Sequence, residues 1–330
     1  MYRKFTLCFI IINCVILFAA CSAYFYKTNG EYWSAGGYNN QESLLTINKT
    51  EYGEMEIVVF NIGKADAIII TTENHAIMID TGEEKHSGEI LDHLVETGVD
   101  TIDYLIITHF DKDHVGGAGK IINNLEVREV IVPNYRRDTK HYTRFSEAMR
   151  DKGIIPVVLA RYNKLEFIDD GVLFATYPSE LDYYEYHIEN NNNEDADEEY
   201  YDEDDDDNET PNVNNFSLVT SVSHGGNNFL FTGDAKSGRI KEILSVSDIT
   251  DISYDFLKVP HHGRYNKRIE DFILNISPKY AVITCSPDKP PDDEVSGALE
   301  AVGTEVFLTY NGIVHCISDG NTLRIQQYLR

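Results

Sequence analysis

From residue 55 onward, short runs of Val, Ile, Leu and Phe alternate with Gly, Asp and Asn breaks, the pattern of strands joined by turns. Residues 55–60, 67–71 and 76–79 predict a β-meander. Residues 89–97 carry Ile90, Leu91, Leu94 and Val95 at helical spacing. The apolar run at 104–108 reads as a buried strand, 119–125 as a short helix and 129–132 as a further strand. A helix over 144–152 leads to strands at 157–159 and 171–177. After a polar gap, strands at 217–223 and 228–232 flank His224-Gly225-Gly226-Asn227, a hairpin with turn residues at its tip. Helix 237–246, strand 256–259, helix 269–276, strand 280–285 and helix 296–302 follow. Strands at 305–309, 313–317 and 323–326 close the chain. The halves, about 55–180 and 212–330, each run strands then helices. Two sheets packed face to face, with helices outside, would bury all their apolar faces. The expected class is therefore α/β over a body spanning 54–330, which by length alone allows one large domain or two smaller ones.

The chain has 330 residues, 42% of them hydrophobic, enough for a sizeable core. Its formal net charge of −27 is unevenly placed: residues 189–209 hold 13 acidic side chains and no basic one. Such a run repels itself and buries nothing, so it predicts an extended acidic insert in the domain. At the N-terminus, Arg3 and Lys4 precede 22 uncharged residues, 5–26. As a helix these would span about 33 Å, enough for a bilayer core. Residues 1–26 thus predict a signal peptide or membrane anchor, and Ala19-Ala20-Cys21 also resembles a bacterial lipidation site at Cys21. All three readings place the body outside the cytoplasm, with 27–53 as a Gly-, Asn- and Tyr-rich tether. Cys285 and Cys316 in the body do not make a disulfide framework.

The densest chemistry is Thr108-His109-Phe110-Asp111-Lys112-Asp113-His114-Val115-Gly116-Gly117. His109, Asp111, Asp113 and His114 fall within six residues directly after an apolar strand, and imidazole with carboxylate suits divalent cations. The glycine pair lets the chain turn closely beneath them. Three more strand ends carry polar groups: Asp80-Thr81-Gly82, Thr232-Gly233-Asp234 and Pro260-His261-His262-Gly263. Each alone reads equally well as a turn. All four together predict convergence on one edge of the sheets.

In this order the motifs resemble the metallo-β-lactamase superfamily, and more narrowly the soluble hydrolase-like domain of ComEC-type competence proteins. That subgroup has Asp where most of the superfamily has a second His, as at Asp111. Asn61-Ile62-Gly63-Lys64-Ala65-Asp66-Ala67 is close to the family's Val-Gly-Gln-Gly-Asp-Ala, and Asn215-Phe216-Ser217-Leu218-Val219 also matches. The resemblance covers about residues 55–328. It implies a four-layer αββα sandwich with a site for two divalent metal ions, Zn²⁺ or Mn²⁺. By the same resemblance His109 and Asp111 hold one ion, and Asp113 and His114 the other. Asp234 bridges them, and His261, directly after its strand, completes the second site. Asp113 also carries the catalytic role nearest the attacking water. Asp80 orders the loop from behind, with Asp66, Asn215 and His262 as supporting or alternative ligands. The usual third-site His has no counterpart at His141, His187 or His224. The oxygen-rich donor set makes Mn²⁺ a competitor to Zn²⁺.

The function so implied is an exported metal-dependent hydrolase acting on a small-molecule or nucleic-acid phosphodiester. The strongly acidic charge opposes nucleic-acid affinity, although Arg136, Arg137, Lys140 and Arg144 form a basic cluster downstream of the metal motif. The alternatives are a hydrolase of a lactam, lactone or phosphorylcholine ester, or a module that keeps the fold and binds metal without turnover.

Overall fold

The computed structural model describes residues 53–161, 164–181 and 212–329. The expected leader (1–26), all but the end of the tether (27–53) and the acidic insert (189–209) lie outside the described residues. Among those described, no helix is long and apolar enough to cross a membrane.

Strand β1 (Met55–Val59) shows how the layers arise. Successive side chains of a strand point to opposite faces. Met55, Ile57 and Val59 enter one core, while Val58 enters another on the other side of the sheet. β2 (Ala67–Thr71) and β3 (Ala76–Thr81) repeat the division and pair antiparallel, as the meander predicted. From β3 the pairing turns parallel through β4 (Thr101–Ile106), β5 (Glu126–Pro133) and β6 (Val157–Leu159). Parallel neighbours need a crossover. Helices α1 (Ser87–Glu96), α2 (Lys112–Val115), α3 (Ala118–Asn124) and α4 (Lys140–Lys152) supply it.

The second sheet follows the same plan. β7 (Leu165–Asp169), β8 (Val172–Tyr177), β9 (Val219–His224) and β10 (Asn227–Phe231) pair antiparallel, then β11 (Phe256–Lys258), β12 (Tyr280–Ile283) and β13 (Glu305–Leu308) continue in parallel. Helices α5 (Ser237–Ile243), α6 (Ser247–Thr250), α7 (Ile269–Ile276) and α8 (Asp293–Ala301) lie between those strands in sequence. β14 (Ile313–Ser318) and β15 (Leu323–Tyr328) return to the first sheet, β14 pairing with β1.

The strand orders are β15-β14-β1-β2-β3-β4-β5-β6 and β13-β12-β11-β10-β9-β8-β7. Ile57, Ile68, Ile77, Phe174, Phe229 and Phe256 pack between the sheets. Val130, Ile121 and Phe145 form a core beneath the helices of the first sheet; Leu257, Phe272 and Leu299 do so for the second. This is the expected αββα sandwich. Neither sheet comes from one half of the chain, because β7–β8 and β14–β15 each cross over. Cys316 lies in the central core and Cys285 in an outer one, both as free thiols.

Several elements depart from the expectation, among them the short helices α2 and α6, which it did not include. The helix expected over 237–246 breaks after Ile243, where the Ser245 hydroxyl donates to the Glu242 carbonyl at 2.6 Å and competes with the helical pattern. β7 was not anticipated.

Candidate metal centre

The C-terminal ends of β3, β4, β10 and β11 meet at one place. Asp80, next to last in β3, has a left-handed backbone conformation, φ 56°, uncommon for a residue with a side chain. Its carboxylate points back into the protein. Oδ1 accepts from the Thr108 amide at 2.8 Å and Oδ2 from the Thr108 hydroxyl at 2.6 Å, which fixes the loop after β4. The loop then runs beneath β3 at Gly117, where a Cβ would lie 2.4 Å from the Thr81 carbonyl oxygen, so only glycine fits. Asp113 and His114 leave it on the single turn of α2.

Three imidazoles are held alike. His114 presents Nδ1 to Asp80 Oδ2 at 2.7 Å, and His262 presents Nδ1 to the Thr284 carbonyl at 2.9 Å. A carbonyl accepts only, so the Nδ1 of His262 carries a hydrogen. His109 Nδ1 lies 3.1 Å from the Thr108 hydroxyl, whose own hydrogen is given to Asp80. In each ring the Nε2 lone pair is thereby freed for the interior, the arrangement of an imidazole ready to bind a cation.

The ligand atoms of Asp113, His114, Asp234 and His262 all lie within 4.8 Å of one another. His114 Nε2 and His262 Nε2 each stand 3.2 Å from Asp234 Oδ2, and His262 Nε2 is 3.4 Å from Asp113 Oδ2. These approaches are close without being aligned as hydrogen bonds. Seven buried atoms at this place have no hydrogen-bond partner: His109 Nε2, Asp111 Oδ1, Asp113 Oδ1, His114 Nε2, Asp234 Oδ1, His261 Nδ1 and His262 Nε2. Buried polar atoms are ordinarily satisfied. A convergent group of orphans, drawn from the donor types that bind divalent ions, fits cations.

The electrostatics agree. Burial opposes charge on His114 and His262, yet Asp234, together with Asp80 for His114 and Asp66 for His262, outweighs it and raises both above the usual histidine range. Burial likewise opposes ionisation of Asp113 and Asp234, but the neighbouring His114 and His262 hold both well below the usual carboxylate range. The carboxylates thus demand positive charge, which protonated imidazoles or a divalent cation can provide. Burial and the charge on His114 lower His109 to about 4, keeping that ring neutral. Asp111, raised by burial, faces His109 Nε2 at 3.8 Å.

The sequence pointed to His261 as the histidine of this turn; the structure turns His262 inward instead. Both residues have left-handed backbones, φ 48° and 54°. This curls the chain after Pro260 so that the second ring reaches Asp113 and Asp234. His261 stays at the edge, its ring centroid 6.2 Å from that of His262. Asn215 takes a different place from the one expected: its Oδ1 accepts from the Arg239 amide at 3.1 Å, tying it to the first turn of α5. Asp66 lies behind the cluster, accepting from Thr284 Oγ1 at 2.5 Å and 3.5 Å from His262 Nδ1.

Lys258 was missed. It is fully buried, and its ammonium pairs with Asp66, donates to the Gly233 carbonyl at 3.3 Å and stands 3.8 Å from Asp234 Oδ1. A lysine inside the apolar run 256–259 was the available signal. Thr284 and Tyr135, whose hydroxyl accepts from the Phe110 amide at 2.7 Å, left no comparable trace.

Comparison with known proteins follows the same lines. Residues 61–286 match the family model of the metallo-beta-lactamase superfamily. The chain is 25% identical over 259 residues to ComE operon protein 3 of Bacillus subtilis (strain 168), covering 73% of this chain and 30% of that protein. It is 24% identical over 250 residues to Recombination protein 2 of Haemophilus influenzae, covering 73% and 26%. The chain therefore spans less than a third of the length of these relatives. Among solved structures, the metallo-beta-lactamase fold protein YhfI from Bacillus subtilis aligns with TM-score 0.46 at 10% identity, covering 77% of this chain and 96% of that one. With its family model matched over most of the domain and its motif residues gathered at one edge of the sandwich, the chain belongs to the metallo-beta-lactamase superfamily.

Proposed function

We propose that the protein is a metal-dependent hydrolase of phosphodiesters. The observation that carries this reading is the set of seven orphaned, buried donor atoms on His109, Asp111, Asp113, His114, Asp234, His261 and His262. Asp113, His114, Asp234 and His262 would hold one divalent cation; His109 and Asp111, with Asp234, would hold a second. Two such ions supply Lewis acidity toward phosphoryl oxygens and a water of lowered pKa. Asp111, oxygen where most of the superfamily has nitrogen, hardens the donor set and favours Mn²⁺ over Zn²⁺.

The protein's own groups do the rest. Asp80 and the Thr284 carbonyl fix the tautomers of His114 and His262, so that Nε2 of each faces inward before substrate arrives. Lys258 offsets the charge of Asp66 and Asp234 from below. Asp113 Oδ1, buried and without a hydrogen-bond partner, would orient an attacking water. A nucleic-acid substrate is supported by the resemblance to ComEC-type domains and by the name of the relative Recombination protein 2. Residues 1–26 support an extracytoplasmic, membrane-anchored or secreted setting.

The test is elemental analysis after metal loading, then cleavage of bis-p-nitrophenyl phosphate and single-stranded DNA with Mn²⁺ or Zn²⁺. About two ions per chain and Mn²⁺-preferring cleavage that Asp113→Ala abolishes are expected. Equal rates for wild type and Asp113→Ala would rule out this site as the catalyst. Turnover of a lactam, lactone or phosphorylcholine ester alone would redirect the substrate class, and a metal-loaded but inert wild type would make the chain a binding module.

A further inference from the structure

Two cations stand beside the carboxylates of the metal motif. Lys64 Nζ lies 3.7 Å from Asp113 Oδ2, and Arg137 Nη2 lies 3.5 Å from Asp111 Oδ1. Their side chains keep 13% and 25% of their surface exposed, so solvent reaches both, whereas Lys258 is sealed beneath. Each is carried by a loop stitched to the metal loop. The Asp66 amide, two residues after Lys64, donates to the Asp113 carbonyl at 3.0 Å. The Tyr135 hydroxyl, two residues before Arg137, accepts from the Phe110 amide. Both charges are thus positioned by the same loop that carries Asp111 and Asp113.

Positive charge at this distance from prospective metal ligands opposes cation binding, since like charges repel. With a net charge of −27 the chain's overall field repels polyanions, so capture of an anion here needs local positive charge. Lys64 falls where the family motif quoted above has an uncharged glutamine. Arg137 is singled out from its basic cluster, because Arg144 pairs instead with Glu84 on the surface. A largely buried but solvent-reached ammonium and guanidinium flanking an acidic, metal-suited pocket match a substrate that is itself an anion. We propose that Lys64 and Arg137 form a phosphate clamp that grips the non-bridging oxygens of the substrate. This deepens the phosphodiesterase reading and rests on it for the class of substrate. Arg137 contributes a planar fork suited to two oxygens, and Lys64 a point charge.

The experiment measures binding of inorganic phosphate to the metal-loaded full chain by calorimetry, beside steady-state kinetics on bis-p-nitrophenyl phosphate. Lys64→Gln with Arg137→Gln should weaken phosphate binding about tenfold or more and raise KM in parallel, with kcat changed far less. Metal content should be retained. Lys64→Arg should keep phosphate affinity, and Arg144→Gln should match wild type. Phosphate affinity of the double variant within about twofold of wild type, at equal metal content, would overturn the clamp and leave the two residues as counter-ions of the carboxylates. Wild type that binds phosphate through these residues yet cleaves no diester would uphold the clamp while the proposed activity fails. Diester cleavage without phosphate binding would do the reverse.

Discussion

Asp80 holds His114 from behind: its Oδ2 meets Nδ1 at 2.7 Å, and this turns Nε2 onto Asp234 at 3.2 Å. The same carboxylate fixes Thr108, which in turn faces His109, so one acidic group sets two imidazoles. Asp80→Asn would keep the size and tolerate the left-handed backbone, yet place an amide where His114 needs an acceptor. Metal affinity should fall about 10- to 100-fold, with little change in folding. Titration of Mn²⁺ into metal-free protein measures it; unchanged affinity would show that Asp80 does not set the ring.

His261 and His262 should behave unequally. His262→Ala removes the ring that faces both Asp113 and Asp234, and should lower the bound metal by about one ion per chain, whereas His261→Ala should cost less. Elemental analysis of the two variants side by side decides this. A larger loss from His261→Ala would mean that the turn reverses when it binds metal.

Lys258→Met should destabilise the metal-free protein by about 3–5 kcal/mol, because it strands buried carboxylates on Asp66 and Asp234. Divalent metal should restore part of that stability, since a cation at Asp234 supplies the missing positive charge. Thermal unfolding with chelator and with Mn²⁺ gives both numbers. A variant as stable as wild type in chelator would contradict the charge argument.

Gly117→Ala tests the close approach of the metal loop to β3. The added methyl would meet the Thr81 carbonyl oxygen, and overpacking of this kind costs about 1–3 kcal/mol. The loop must shift to relieve it, so metal affinity should drop together with stability. A loss of stability alone would show that the loop is more tolerant than its packing suggests.

The site was legible where chemistry and strand ends coincide. His109, Asp111, Asp113, His114, Asp80 and Asp234 each follow an apolar run and precede or accompany a glycine, a pattern carried in consecutive residues. The choice between His261 and His262 was not legible, because it depends on backbone angles after Pro260 that either histidine could adopt. Lys258 left only a faint signal for a different reason: one polar residue in a three-residue strand interrupts an apolar run but breaks no period. Asn215 matched a motif whose neighbour, Phe216, packs in the core, while its own amide serves α5. In the fold, strand identity came from β-branched runs, but the pairing of β14 with β1 joins residues some 260 apart and has no local trace. β7 was missed because Leu165–Asp169 mixes charges into a short edge strand.

The hydrogen bond from Thr284 to Asp66 spans 218 residues, and β1 waits for β14 from the far end of the chain. During synthesis, therefore, the metal loop emerges long before His262, Thr284 and the closing strands exist. Long-range pairing of this kind is slow, and partly built chains expose unpaired strand edges. An N-terminal fragment has Asp111, Asp113, His109 and His114 but lacks Asp234, Lys258 and His262, so a cation held by the full set could be captured only late, once the sandwich is complete.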